Sequence, residues 1–167
     1  MLPSPMKKIL RLLGIVIVVL AAALAAVAFV ARYHDGPIAV FPGGPFQTGS
    51  IVDDPAADLS FAADVEEIEL QSGQPPTSRT TWILVEDGEA YVPCSLSFPP
   101  RKSWHRNALI HPNAEVRIEG KRYRRRLEKV EDEDLHAKLM QDVAEKYGGL
   151  PGTDPSEVWF FHLAPGA

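Results

Sequence analysis

The chain has 167 residues, 22 of them acidic and 17 basic, for a formal charge of −5, and 46% of its side chains are apolar. All 22 acidic residues and 13 of the basic ones follow Arg32, so that portion carries −9, which excludes general nucleic-acid binding through a basic surface. A single cysteine, Cys94, excludes an intrachain disulfide framework.

Leu12–Val30 is an uninterrupted apolar run preceded by Lys7, Lys8 and Arg11 and followed by Arg32. Its length suits a helix crossing a hydrocarbon core. The excess of cations on the leading side predicts a cytoplasmic N-terminus (1–11), a membrane anchor (12–31) and export of everything after it. The expected location is the inner (plasma) membrane, single-pass, with the C-terminal domain periplasmic or otherwise extracytoplasmic. Ala26 and Ala28 supply an Ala-x-Ala pattern, so a cleaved signal peptide is the rival reading. The run continues through Phe29 and Val30, which favours the anchor.

Residues 32–61 are rich in Gly, Pro and Asp ("DGPIAVFPGGPFQTGSIVDDP") and read as a tether lying along the domain. Short strands are expected at Ile38–Phe41 and Ser50–Val52, and Gly43-Gly44-Pro45 as a turn. The remainder, 62–167, is one domain. Val65–Gln71 is a half-polar strand. Thr80–Glu86 and Glu89–Ser95 flank Asp87-Gly88, a strong hairpin signal because both turn positions need positive φ. That register sets Val85 opposite Ala90, Ile83 opposite Val92 and Thr81 opposite Cys94. Both faces of the hairpin are apolar and should be covered.

Ser103–His111 reads as a short helix with Ser103 as N-cap and Pro112 as its stop. Ala114–Glu119 and Lys121–Val130 form a second hairpin around Gly120-Lys121. Val116, Ile118, Tyr123, Arg125 and Leu127 share one face, and Glu115, Arg117, Glu119, Arg122, Arg124 and Arg126 share a wet one. From Asp132, apolar residues recur as Leu135, Leu139, Val143 and Tyr147, giving a helix stopped by Gly148-Gly149 and Pro151. Glu157–Leu163 is a last, doubly apolar strand. Strand, hairpin, helix, hairpin, helix, strand predicts an α+β fold: a small, mostly antiparallel β-barrel with two helices, behind one transmembrane helix.

Chemistry-bearing residues are few. Arg79, Arg101, Lys102 and Arg106 are anion-binding candidates, set against a solvated basic rim. Arg125, on an apolar face, needs a buried ion-pair partner or a place at the barrel end. His105 and His111 lack a carboxylate at ligand spacing, so no metal site is expected. His162 and Cys94 read as core residues. No Gly-x-Ser-x-Gly, His-Glu-x-x-His, Walker or paired-carboxylate pattern is present, and no catalytic residue can be named.

The stretches "SRTTWILVEDGEAYVPCS" and "WHRNALIHPNAEVRIEGKRYRRRLEKV" resemble the split β-barrel of flavin- and deazaflavin-dependent nitroreductases. That fold is shared with pyridoxamine-phosphate-oxidase-like proteins. The resemblance spans Val65 to Leu163 and rests on an Arg-Thr-Thr strand opening, the Asp-Gly hairpin, a Trp-x-x-Asn helix and a Gly-centred basic hairpin. It implies an FMN-binding-like barrel and a cofactor held by Arg79, Thr80, Thr81, Ser95, Arg101, Lys102, Trp104 and Asn107. Flavin (FMN) or deazaflavin ranks first, haem after them, and no cofactor is the remaining alternative. Two stretches differ from the family pattern: "SGQPPTSR" lacks a lysine before the Arg, and "LSFPPRKS" carries prolines where paired glycines are usual.

Two functions follow. One is a membrane-anchored oxidoreductase acting on a small molecule. The other is a non-enzymatic envelope domain that binds a partner protein, lipid headgroup or polymer through its basic edge. A homodimer is expected for either.

Overall fold

The computed structural model describes residues 4–99, 102–149 and 154–166. Helix α1 (Ser4–Ala31) leads the chain, and its stretch Met6–Ala31 is long and apolar enough to cross a membrane by length and composition. It does not pack into the barrel: its apolar window is unburied.

The rest is a curled sheet with helices on it. In chain order the elements are β1 (Ser50–Val52), β2 (Glu67–Ser72), β3 (Thr77–Trp82), β4 (Leu84–Glu86), β5 (Glu89–Ser95), α2 (Trp104–Ile110), β6 (Asn113–Ile118), β7 (Lys121–Lys129), α3 (Glu133–Tyr147) and β8 (Val158–Pro165). Around the sheet the order is β3-β2-β6-β7-β8-β5-β4, antiparallel throughout. The short β1 runs parallel to the first half of β7. The two ends of this path, β3 and β4, are neighbours in sequence, so one bent strand links the sheet's margins. This is a split β-barrel of the α+β class.

The bend overturns one predicted element. Thr80–Glu86 is not continuous, and Thr81 lies opposite Ile68 on β2, not opposite Cys94. Only its last part keeps the expected register, with Val85 opposite Ala90. The cause lies on α3. The Tyr147 hydroxyl accepts from the buried Ile83 N–H at 3.2 Å and sits 2.7 Å from the Ile83 and Glu66 carbonyl oxygens. The Lys146 ammonium donates to the carbonyls of Ala63 (2.7 Å), Val65 (2.7 Å) and Ile83 (3.0 Å). These side chains satisfy the backbone groups of Ile83 in place of a sheet neighbour, so the strand can turn there without an orphaned buried amide.

Strand alternation then builds two cores. Ile68, Leu70, Ala90, Val92, Val116, Ile118, Leu127, Phe161 and Leu163 fill the barrel, and Trp104 and Ala108 of α2 close it. Outside, Leu139 and Val143 of α3 pack on Leu84, Tyr91, Val158 and Phe160. This explains why both faces of the first hairpin are apolar. Asp132 caps α3 by accepting from the Leu135 N–H at 2.8 Å, and Gly148, with φ 72°, ends it as the sequence predicts.

The tether lies along the domain as a strap that carries one of its two expected short strands, β1. Ile38 and Phe41 face each other across a tight turn, so no strand forms there. Gly43 and Ser78 exchange backbone hydrogen bonds of 2.9 and 3.1 Å, and the Ser78 hydroxyl donates to the Gly44 carbonyl at 2.7 Å. A Cβ on Gly43 would lie 1.8 Å from the Gly36 carbonyl oxygen, so the position admits only glycine. Beyond this, the strap covers part of the face expected to be wet. Arg117 and Arg122 lie directly opposite each other, an unfavourable pairing. Arg117 is matched by Asp35 at 2.9 Å and by Glu69, and Arg122 by Glu115 at 2.6 Å. The Phe46 ring lies 4.4 Å from the Arg117 guanidinium. Arg125 is buried as expected, yet its partners are the carbonyls of Pro55 (2.6 Å), Ala57 and Arg124 (3.0 Å), not a carboxylate. His162 is no core residue: it is half-buried and pairs with Glu89 at 2.7 Å.

A candidate anion-binding cleft

Arg79 stands opposite Leu70, which is fully buried, so its stem lies on the inner face of the barrel. Its guanidinium reaches the mouth beside α2, 5.1 Å above the Trp104 ring. It donates to the Thr77 hydroxyl at 3.0 Å and the Thr77 carbonyl at 3.3 Å, with the Ser72 hydroxyl at 3.5 Å. Its Nε is enclosed and has no partner. Among the described residues no carboxylate lies within ion-pair distance of it. Burial therefore acts with little opposition and pulls its pKa down to about 10, and the nearby Cys94 resists weakly. The group stays cationic at neutral pH and lacks an anion.

Three further groups line this mouth. Lys102 donates to the Phe98 carbonyl, and burial lowers its pKa, with Cys94 opposing and Arg79 adding to the fall. Cys94 is buried on the inner face of β5. Burial pushes its thiol up to about 11 despite Lys102 and Arg79, so it is protonated at neutral pH and a poor nucleophile. His105 is buried edge-on between Trp104 and Trp159, with ring centroids 6.4 and 5.4 Å away, and its Nδ1 has no partner. Burial, with Arg106 and Lys102, depresses its pKa and keeps it neutral. Trp104 also meets Phe161 at 5.4 Å, so the floor of the mouth is aromatic.

The predicted site residues separate into two groups. Arg79, Lys102 and Trp104 converge, and Thr81 shares the inner face with Arg79. Thr80 does not join them. It stands opposite Glu69 on the outer face and is exposed. Ser95 also lies on the outer face, opposite Val158, and its hydroxyl holds a local turn by accepting from the Phe98 N–H at 3.1 Å. Asn107 is exposed on α2. Arg101 lies outside the described residues.

The structure adds Ser72, Thr77, Cys94 and His105. Alternation along Glu89–Ser95 already placed Cys94 on the inner face, but nothing in the sequence placed it beside two cations. A pair of cations without a carboxylate partner among the described residues, hydroxyls from Thr77 and Ser72, and a flat indole suit an anionic group attached to a planar ring.

Solved structures share this architecture at low identity. A conserved hypothetical protein from Mycobacterium tuberculosis aligns with a TM-score of 0.51 at 17% identity, over 63% of this chain and 76% of that one. The shared feature is the fold. Two others fall below a TM-score of 0.5. A protein assigned as a pyridoxamine 5'-phosphate oxidase from Listeria innocua reaches 0.49 at 17% identity, over 64% of this chain and 89% of its own. An F420 reductase reaches 0.47 at 16% identity, over 65% and 92%. No family model and no curated sequence matches this chain.

Proposed function

We infer that this chain is a single-pass, membrane-anchored split-barrel oxidoreductase whose cleft binds a phosphate-bearing flavin or deazaflavin. The observation that carries this reading is Arg79: a desolvated cation with no carboxylate partner among the described residues, an orphaned Nε and an indole face beneath it. A buried charge is costly unless paired, and a ligand phosphate would be its partner.

The residues fit such a group. Arg79 with the hydroxyls of Thr77 and Ser72 would hold the phosphate, Lys102 would add a second cation, and Trp104 would pack on the ring. When bound, a flavin or deazaflavin supplies hydride-transfer chemistry. The chain's own part is binding and orientation. His105 is held neutral and Cys94 protonated, so neither offers an acid or base poised for proton transfer. The apolar barrel floor keeps water from one side of the mouth.

The basic-edge alternative has less support. Arg117, Arg122, Arg126 and Lys129 are each paired with a carboxylate on the same domain. Their charge is largely spent internally. Exposed Phe98, Leu109 and Ile110 in and just before α2 give an apolar surface that a homodimer would cover. The cation bias around α1 supports a cytoplasmic N-terminus and an exported barrel.

The test is an absorption spectrum with mass analysis of released ligand, on protein purified with its anchor from its own membranes. A flavin or deazaflavin near one per chain supports the reading. A colourless protein that takes up neither, nor haem, refutes it.

A further inference from the structure

We propose that the turn Ile38–Phe41 is a second membrane contact, with Val40 at its tip seated in the lipid interface beside the end of α1. The proposal rests on the reading that α1 spans the bilayer. The turn is closed by reciprocal hydrogen bonds between Ile38 and Phe41 of 3.1 and 2.9 Å. Ala39 within it has φ 50°, a left-handed conformation that a residue with a Cβ adopts at a cost. Val40 is 88% exposed, more than any other large apolar side chain among the described residues. Within the barrel this tip has nothing to pack on.

The surroundings of the turn say what covers it. Its base is fastened to the first residues after the helix. The Gly44 N–H donates to the His34 carbonyl at 3.0 Å, and Asp35 and Gly44 form a bridge. Gly44 lies so close to the helix exit that a Cβ there would be 2.7 Å from the Arg32 carbonyl oxygen. Val40 is four residues from Gly44, so the tip lies within about 13 Å of that base at the rise of an extended chain. The polar layer of a bilayer adds roughly 5–7 Å beyond each side of the hydrocarbon, so an apolar tip can lie within reach of it. Composition agrees. From Gly36 to Val52 the chain carries no charged side chain, and the preceding Asp35 is bonded to Arg117. Tyr33, exposed and edge-on to Phe29 at 5.6 Å, supplies an aromatic at the helix exit, where such rings favour the interface.

This contact would do more than anchor. Gly43, three residues past the tip, is bonded to Ser78, the neighbour of Arg79. Seating the turn would therefore fix the height of the cleft above the bilayer. The chemistry recognised is the headgroup–acyl boundary, which accepts a small apolar wedge.

The experiment uses the full chain in liposomes with a spin label at Val40→Cys, and separately at Leu20→Cys and Glu128→Cys. The native Cys94 is buried and protonated, so it takes up little label. Collision with oxygen and with a water-soluble nickel chelate is measured at each site. The expected result is an oxygen-dominated ratio at Leu20 and Val40 and a nickel-dominated one at Glu128. A Val40 label that collides with nickel as Glu128 does, while Leu20 stays in lipid, overturns this proposal alone. A Val40 label shielded from both reagents overturns it in favour of a protein partner. A nickel-accessible Leu20 label overturns the spanning reading and this proposal with it.

Discussion

Replacing Arg79 by methionine should strengthen the fold and weaken anion binding together. The side chain keeps its apolar stem against Leu70 and Trp104 but loses the charge and the orphaned Nε. An unsatisfied buried polar group costs about 1–3 kcal/mol, and replacing a poorly matched buried charge by an apolar isostere is often neutral or stabilising. Against this stands the loss of the Thr77 contacts, about 1 kcal/mol. The net expectation for Arg79→Met is a change between zero and about +2 kcal/mol in stability, which for a domain of this size raises Tm by up to about 8 °C. A charge-assisted hydrogen bond to a phosphate is worth about 1.5–3 kcal/mol, so affinity for FMN or inorganic phosphate should fall roughly 10- to 150-fold. Thermal unfolding followed by near-ultraviolet dichroism, and titration followed by tryptophan fluorescence, read the two quantities on the same preparation. A variant destabilised by more than about 2 kcal/mol, or one that binds phosphate unchanged, refutes the view of Arg79 as a cation held ready for a ligand.

Tyr147→Phe keeps the stacking on Trp82, at 4.2 Å, but strips the hydroxyl from the Ile83 backbone. Stability should fall by about 1–3 kcal/mol, read by denaturant unfolding, with the effect smaller than about 0.5 kcal/mol refuting the account of the bend. Burial works against ionisation of Asp35, but hydrogen bonds from Thr48, Gln47 and Arg117 outweigh it and hold the carboxyl well below the usual range. The unfolded chain therefore binds the proton first, and the strap's contribution, full above pH 4, is lost as pH falls below it. Limited proteolysis between Gly36 and Ser50 should accelerate there, and Asp35→Asn should show the same cleavage at neutral pH. Cys94 has the opposite sign. Burial raises its pKa from 9.0 to about 11, so stability falls as pH rises from 9 to 11, and Cys94→Ala should flatten that part of the profile. An unchanged slope would show that the thiol does not titrate in that window.

Where local signals and tertiary needs agreed, the fold was readable from residues alone. The Asp87-Gly88 turn has positive φ at both positions, and the hairpin it joins forms; the second hairpin forms too, turning at Glu119-Gly120 rather than at the expected Gly120-Lys121. Asp132 and Gly148 bound α3 because capping is local chemistry. Ser50–Val52 is a strand as expected, although its partner, β7, is 70 residues away and its parallel pairing carries no sequence mark. The bend at Ile83 was not readable. Thr80–Glu86 alternates like an ordinary strand, and what breaks it are two side chains more than 60 residues later. Similarly, the basic face of β6 and β7 gave no sign that Arg117 would be claimed by Asp35, because a charge ladder reads as solvated until something is found to cover it.

The site depended on that same bend. A continuous strand through Thr80–Glu86 would have aligned Thr81 with Cys94 and left Arg79 at the hairpin's far end. Because the chain turns at Ile83, β3 runs along β2 instead, and Arg79 enters the barrel mouth from the opposite margin to Cys94 and Trp104. Two segments that are distant along the sheet path therefore meet at the split, with α2 as the third wall. This also explains why Thr80 and Ser95 drop out: strand alternation gives only every second residue to a cleft, and both stand at outward positions of their strands. Arg79 of β3 and Trp104 of α2 remain, with Lys102 from the loop just before α2. A site assembled that way keeps its geometry only while the bend holds. The loss of the Tyr147 hydroxyl should therefore weaken anion binding as well as stability, although Tyr147 lies on α3 and contributes no group to the cleft.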